Sequence, residues 1–121
     1  MFPHNYSLEK LSTAVRILAT GEGDARSRLS IAYSAFGFLQ PDAFPPALQA
    51  DYESIRKEIT KRLPKSEVER REWATDGDAQ ANIRRMQNRT ASKIATKIFD
   101  LEHRVRLVYE EWHDNLLRSS Q

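Results

Sequence analysis

Leu8, Leu11, Val15 and Leu18 stand three or four residues apart near the start of the chain, with charged and hydroxyl residues between them. That period puts the four on one face and predicts an amphipathic helix over 8–20, with Ser7 as N-cap and Gly21 just past its end. Leu29, Ala32, Tyr33, Phe36 and Leu39 follow at the same spacing. They predict a second helix over 25–39, rich in aromatic side chains and capped by Asp24. Pro41, Pro45 and Pro46 mark a connection, because proline fixes φ and removes a backbone donor. A third helix is predicted over 46–63, with Pro46 in its first turn and Leu48, Tyr52, Ile55, Ile59 and Leu63 as its buried stripe; Pro64 stops it.

The connection "PKSEVERREWATDGD" is the most polar piece of the chain. Ser66 and Glu69 match a capping box, which predicts a short helical turn near 67–73 with Trp73 as an anchor. Asp78 suits the N-cap of a last helix over 79–118, a span with neither proline nor glycine. A straight helix of that length measures about 60 Å, roughly twice the diameter of a small domain. It must kink around "QNRTAS", where residues that compete for backbone hydrogen bonds cluster, or project from the core and pair with a second copy. Ile83, Met86, Thr90, Ile94, Ile98, Leu101, Val105, Val108, Trp112 and Leu116 keep steps of three or four throughout, so a kink is expected to be mild.

Past residue 98, Phe99 and Leu107 fall on another side of the same helix. A helix apolar on two sides needs two partners. The second side is either covered within the chain, by Phe2 and Tyr6 or the segment around Trp73, or it forms a self-association surface from Phe99, Leu107 and Leu117.

Together the stripes predict an all-α single domain, a four-helix, bundle-like unit with a long C-terminal helix. At 121 residues the chain is long enough to bury about two-thirds of its unfolded surface. The absence of cysteine removes disulfides, thiolate metal sites and cysteine nucleophiles. "MFPHNYSLEKL" lacks the basic start and apolar run of a secretory signal, and no stretch approaches the roughly 18 apolar residues of a membrane span. The expectation is a cytoplasmic protein with no membrane partner.

A formal charge of +2, from 19 Lys and Arg against 17 Asp and Glu, means that any preference for polyanions must be local. One stretch supplies it. In "RRMQNRTASKIATK", Arg85, Arg89, Lys93 and Lys97 recur at every fourth residue, and Arg104 falls on the same flank. Like charges at that spacing repel. The row spirals toward the border of the apolar face, where Arg and Lys lay their stems on apolar surface and present the charge beside the helix. Successive steps advance about 6 Å, comparable with the phosphate spacing on one nucleic-acid strand. No aromatic residue in the stretch can stack on bases, and Gln87 and Asn88 alone can read base edges. The competing expectation is that the row is solvated or neutralised by the protein's own acids, Glu22, Asp24, Glu53, Glu58, Glu67, Glu69 and Glu72. If no carboxylate faces the row, polyanion binding moves ahead.

Other chemistry is weakly represented. "GEGDAR" precedes a helix, yet Glu22 and Asp24 would repel phosphate, and neither a Walker lysine nor a preceding strand is present. Asp100-x-x-His103 and Glu110-x-x-His113 resemble the carboxylate-x-x-His pairs of di-iron bundles. Both pairs fall on one helix, and the neighbouring helices offer no matching inward carboxylates, so neither metal nor cofactor is expected. No Ser, His and acid combination has the context of a nucleophile elbow, which points away from an enzyme. The leading expectation is a non-enzymatic interaction or regulatory protein that associates with itself through the C-terminal helix, or with another helical protein. The alternative is nucleic-acid or polyanion binding through Arg85, Arg89, Lys93, Lys97 and Arg104.

Overall fold

The computed structural model describes residues 1–60 and 76–120. They form five α-helices: α1 (Asn5–Thr20), α2 (Ala25–Phe36), α3 (Gln49–Thr60), α4 (Asp76–Arg85) and α5 (Asn88–Ser119). Two 3-10 turns, Pro41–Ala43 and Pro46–Leu48, connect α2 to α3, and no strand occurs among the described residues. The protein is all-α with a long C-terminal helix. The turn expected near 67–73, with Ser66, Glu69 and Trp73, lies outside the described residues, as do Leu63 and Pro64.

The apolar stripes meet in one core. Leu11 and Leu18 of α1, the Leu29–Phe36 stripe of α2, Tyr52, Ile55 and Ile59 of α3, and Ile94, Ile98, Leu101 and Val105 of α5 are all buried together. Each such Leu, Ile or Phe contributes about 1.5–3 kcal/mol relative to exposure. Helix α5 packs on α1, α2 and α3, while α4 lies on α2 and α3. Side chains of α4 fix that placement. The Gln80 carboxamide donates to the Ser30 carbonyl at 2.8 Å and to Ser34 Oγ at 3.0 Å, and Asn82 Nδ2 donates to the Ile59 carbonyl.

Tyr52 closes the α2–α3 connection. Its ring stacks on Phe44 at 4.1 Å, and its hydroxyl donates to the buried carbonyls of Leu39 and Phe36 at 2.7 and 3.1 Å. Burial pushes its phenol well above the usual range, against the smaller opposite pull of the Arg56 charge.

Several boundaries differ from the sequence expectation. Ser7 does not cap α1 but lies buried inside it, with its hydroxyl bonded to the His4 carbonyl at 2.9 Å. The helix begins earlier because the N-terminal segment is drawn onto α5: Phe2, 5% exposed, meets the rings of Tyr109 and Trp112 at 5.4 and 5.6 Å. Helix α2 stops at Phe36 rather than 39, and Leu39 reaches the core from the loop that follows. Gln40, preceding Pro41, is extended, the conformation proline imposes on its predecessor. The prolines at 45 and 46 lead into a 3-10 turn, so α3 proper starts at Gln49.

The largest difference is in the last helix, which is interrupted at Met86 and Gln87 rather than mildly kinked. Gln87 is extended, with φ −73° and ψ 150°. The Met86 N–H is shared between the carbonyls of Asn82 and Ile83 at 3.2 and 3.3 Å, as in the tightened end of a helix. Asn88 then opens α5, and its side chain accepts the Arg26 backbone N–H at 3.2 Å. Met86 remains buried across the break, so the apolar register continues although the backbone ladder does not. Helix α5 alone has 32 residues and a length of about 48 Å.

Candidate functional site

The break divides the cationic row. Arg85 is the last residue of α4, whereas Arg89, Lys93, Lys97 and Arg104 belong to α5. All five side chains are exposed. On α5 the first three rise about 6 Å and turn about 40° at each step, so Lys97 arrives at the border with α3. There it lines a cleft of about 190 Å³ together with Asp51, Ser54, Ile55, Asp100, Leu101 and Arg104.

Among the described residues, Arg104 is the one member of the row with counter-charges. Its Nη1 lies 3.2 Å from Asp51 Oδ2, and its Nη2 lies 3.7 Å from Asp100 Oδ2. These groups are half-exposed or more, so each contact contributes only about 0–1 kcal/mol, but the guanidinium charge is cancelled locally. Among the described residues, Arg85, Arg89, Lys93 and Lys97 have no ion-pair partner. Among the described residues neither Glu22 nor Glu53 pairs with the row, Asp24 is 3.3 Å from Arg26 instead, and Glu67, Glu69 and Glu72 lie outside the described residues. Asp51 and Asp100, the acids that do reach the row, are not among the residues expected from the sequence to neutralise it.

Folding adds two cations that sequence reasoning missed. Arg26 of α2 donates through Nη1 to the Arg84 carbonyl at 3.5 Å, which brings Arg26 to the α4–α5 break beside Arg84. The two line a shallow depression of about 520 Å³ with Asp24, Ser27 and Ser30. Asp24 offsets one charge at this end. It accepts the Ser27 N–H at 3.0 Å, and the Ser27 backbone and hydroxyl, helped by Arg26 and Asn88, hold its carboxyl down at about 2 despite some desolvation. Helical periodicity relates neighbours three or four apart, so no local signal connects Arg26 with Arg84.

The apolar candidates are less well assembled. Phe99, Leu107 and Leu117 are each about half-exposed on one side of α5, but exposed His103, Arg106, Glu110 and Asp114 lie among them. Phe99 edges a groove of about 250 Å³ with Leu18, Ala25, Arg28 and Ala95. Phe2 does not cover this side, since it seats on Tyr109 and Trp112, and Tyr6 rests against exposed Phe38. Leu116 continues the core-facing stripe, yet is 52% exposed because the end of α5 runs on past the packed helices. A further feature missed in sequence is Glu102, 6% exposed, which accepts from Ser12 Oγ at 3.2 Å and Arg106 Nε at 3.0 Å and so pins α1 to α5.

The two carboxylate-x-x-His pairs do not converge. Asp100 turns to Arg104, and His113 stacks on Tyr109 at 5.9 Å. Among the described residues no three His, Asp or Glu side chains gather as a metal site, and no helix is long and apolar enough to cross a membrane. Comparison with protein-family models, with curated proteins and with solved structures finds no match. On the surface, Arg89, Lys93 and Lys97 stand at helical spacing on α5 with Arg85 across the break, and an arginine matched to a carboxylate lies at either end.

Proposed function

We propose that the protein is a helical binding module that takes an extended polyanion, the phosphate backbone of a nucleic acid, along Arg85, Arg89, Lys93 and Lys97. The supporting observation is that these four exposed cations have no ion-pair partner among the described residues. Neighbouring like charges at i,i+4 cost a few tenths of a kcal/mol per pair in an isolated helix. A phosphate between two of them reverses the sign of that contribution and releases condensed counterions. The row carries no stacking ring, so binding runs through the backbone, without sequence preference and with strong salt dependence.

Fluorescence-polarisation titration against mixed-sequence single- and double-stranded oligonucleotides tests this. Binding is expected at low salt, falling steeply toward moderate salt, with Arg89→Ala/Lys93→Ala at least about tenfold weaker. No binding at low salt, or no effect of the double substitution, rules the reading out.

A second reading, self-association through the C-terminal end of α5, draws on Leu116. It is the last member of the core-facing stripe and half-exposed, with Leu117 beside it and Trp112 one turn before it. A second copy would extend the buried seam along α5, with Phe99 and Leu107 as an apolar margin. Light scattering over a concentration series tests it through Leu116→Glu/Leu117→Glu. A wild-type monomer at high micromolar concentration excludes it.

A further inference from the structure

Resting on the polyanion reading, we infer that the surface accepts a run of only about four phosphates, because Asp51 and Asp100 withhold Arg104 and close the row at Lys97. Arg104 follows Lys97 by two helical turns and returns to nearly the same flank of α5, about 10 Å further along the axis. By position it is the next cation a bound strand would meet. It is instead held between a carboxylate of α3 at 3.2 Å and one of its own helix at 3.7 Å, and both acids line the cleft that Lys97 borders. A phosphate advancing past Lys97 therefore meets two negative charges and a guanidinium already engaged by them.

Two carboxylates thus act as a stop that fixes the footprint. The stop is separable from the fold: the Arg104 contacts are solvent-exposed, and neither Asp51 nor Asp100 belongs to the buried core. Asparagine at both positions removes the charge, keeps the side-chain size, and frees Arg104 as a fifth contact.

The test is the salt dependence of oligonucleotide binding by the whole protein. For wild type, log Kobs against log[salt] is expected to fall with a slope of about −3.6 on duplex or about −2.8 on single strand, four contacts at 0.9 or 0.7 each. Asp51→Asn/Asp100→Asn steepens the slope by about 0.7–0.9 and tightens binding several-fold at low salt. Arg104→Ala leaves the wild-type slope unaltered and abolishes the gain when added to the double variant. Thermal melts check that every variant is folded. A wild type that binds, with a slope unchanged in Asp51→Asn/Asp100→Asn or a gain that survives Arg104→Ala, overturns the stop while leaving polyanion binding intact. A wild type that does not bind at all overturns both.

Discussion

Asn88, the first residue of α5, accepts through Oδ1 the backbone N–H of Arg26, the second residue of α2, at 3.2 Å. Asp24 takes the next free donor of that turn, the Ser27 N–H. The start of α2 is thus capped from two sides, once locally and once from the point where the last helical run breaks. Asn88→Ala is expected to cost about 0.5–1 kcal/mol, the lower end of the hydrogen-bond range because the contact is exposed. Urea denaturation measures this, and Asn88→Asp, which keeps the acceptor, should recover most of it.

Asp24 gives the fold an acid sensitivity with a defined direction. Its carboxyl lies at about 2 in the folded chain against an ordinary 3.8, so as pH falls the unfolded state takes up the proton first. The stabilisation it supplies is complete above an ordinary carboxylate pKa of about 3.9 and is lost as pH drops from there through the folded value. Urea midpoints over that interval should fall in wild type and fall less in Asp24→Asn, which retains an acceptor for Ser27 without the charge. Equal losses in both proteins would assign the acid response to other carboxylates.

Glu102 and Arg106 are an unequal pair, since the carboxylate is buried and the guanidinium half-exposed. Removing the partner of the buried charge should hurt more. Arg106→Ala is expected to destabilise by about 2–3 kcal/mol, toward the cost of an uncompensated buried charge with Ser12 as a remaining donor. Glu102→Leu, which leaves Arg106 free to hydrate, should cost less than about 1 kcal/mol. Chemical denaturation of the two single variants settles the order.

Tyr52→Phe keeps the ring stacked on Phe44 and strips the donor from two buried carbonyls. The expected loss is about 1–3 kcal/mol, reduced to the extent that Arg56, 3.4 Å from the Leu39 carbonyl, takes over. Substituting Arg56 as well should therefore cost more than the sum of the single changes, a coupling that a double-mutant cycle reads directly.

The helical class and most of the core were legible in the chain because they depend on a local repeat: Leu11, Leu29, Ile55 and Ile98 fall where three-and-four spacing puts them. The same repeat concealed the break at Gln87. The step from Met86 to Thr90 is an ordinary helical four, and apolar spacing is blind to a local interruption of the hydrogen-bond ladder. What marks the break is Asn88 bonded to Arg26, a contact across 62 positions. The cationic residues were visible as a row, but which of them would be neutralised was not. Asp51 meets Arg104 only because α3 packs on α5, and Arg26 meets Arg84 only because α2 packs on α4. Ser7 misled for a related reason: capping preference was overridden by Phe2 anchoring on α5 and drawing the helix start forward.

Phe2 under Tyr109 and Trp112 also bears on the order in which the molecule closes. Phe2 and its seat lie far apart in sequence, so a chain emerging from the ribosome holds Phe2 unmoored until the part of α5 that carries Tyr109 and Trp112 has followed. The indole of Trp112 is placed to signal that docking as a change in emission.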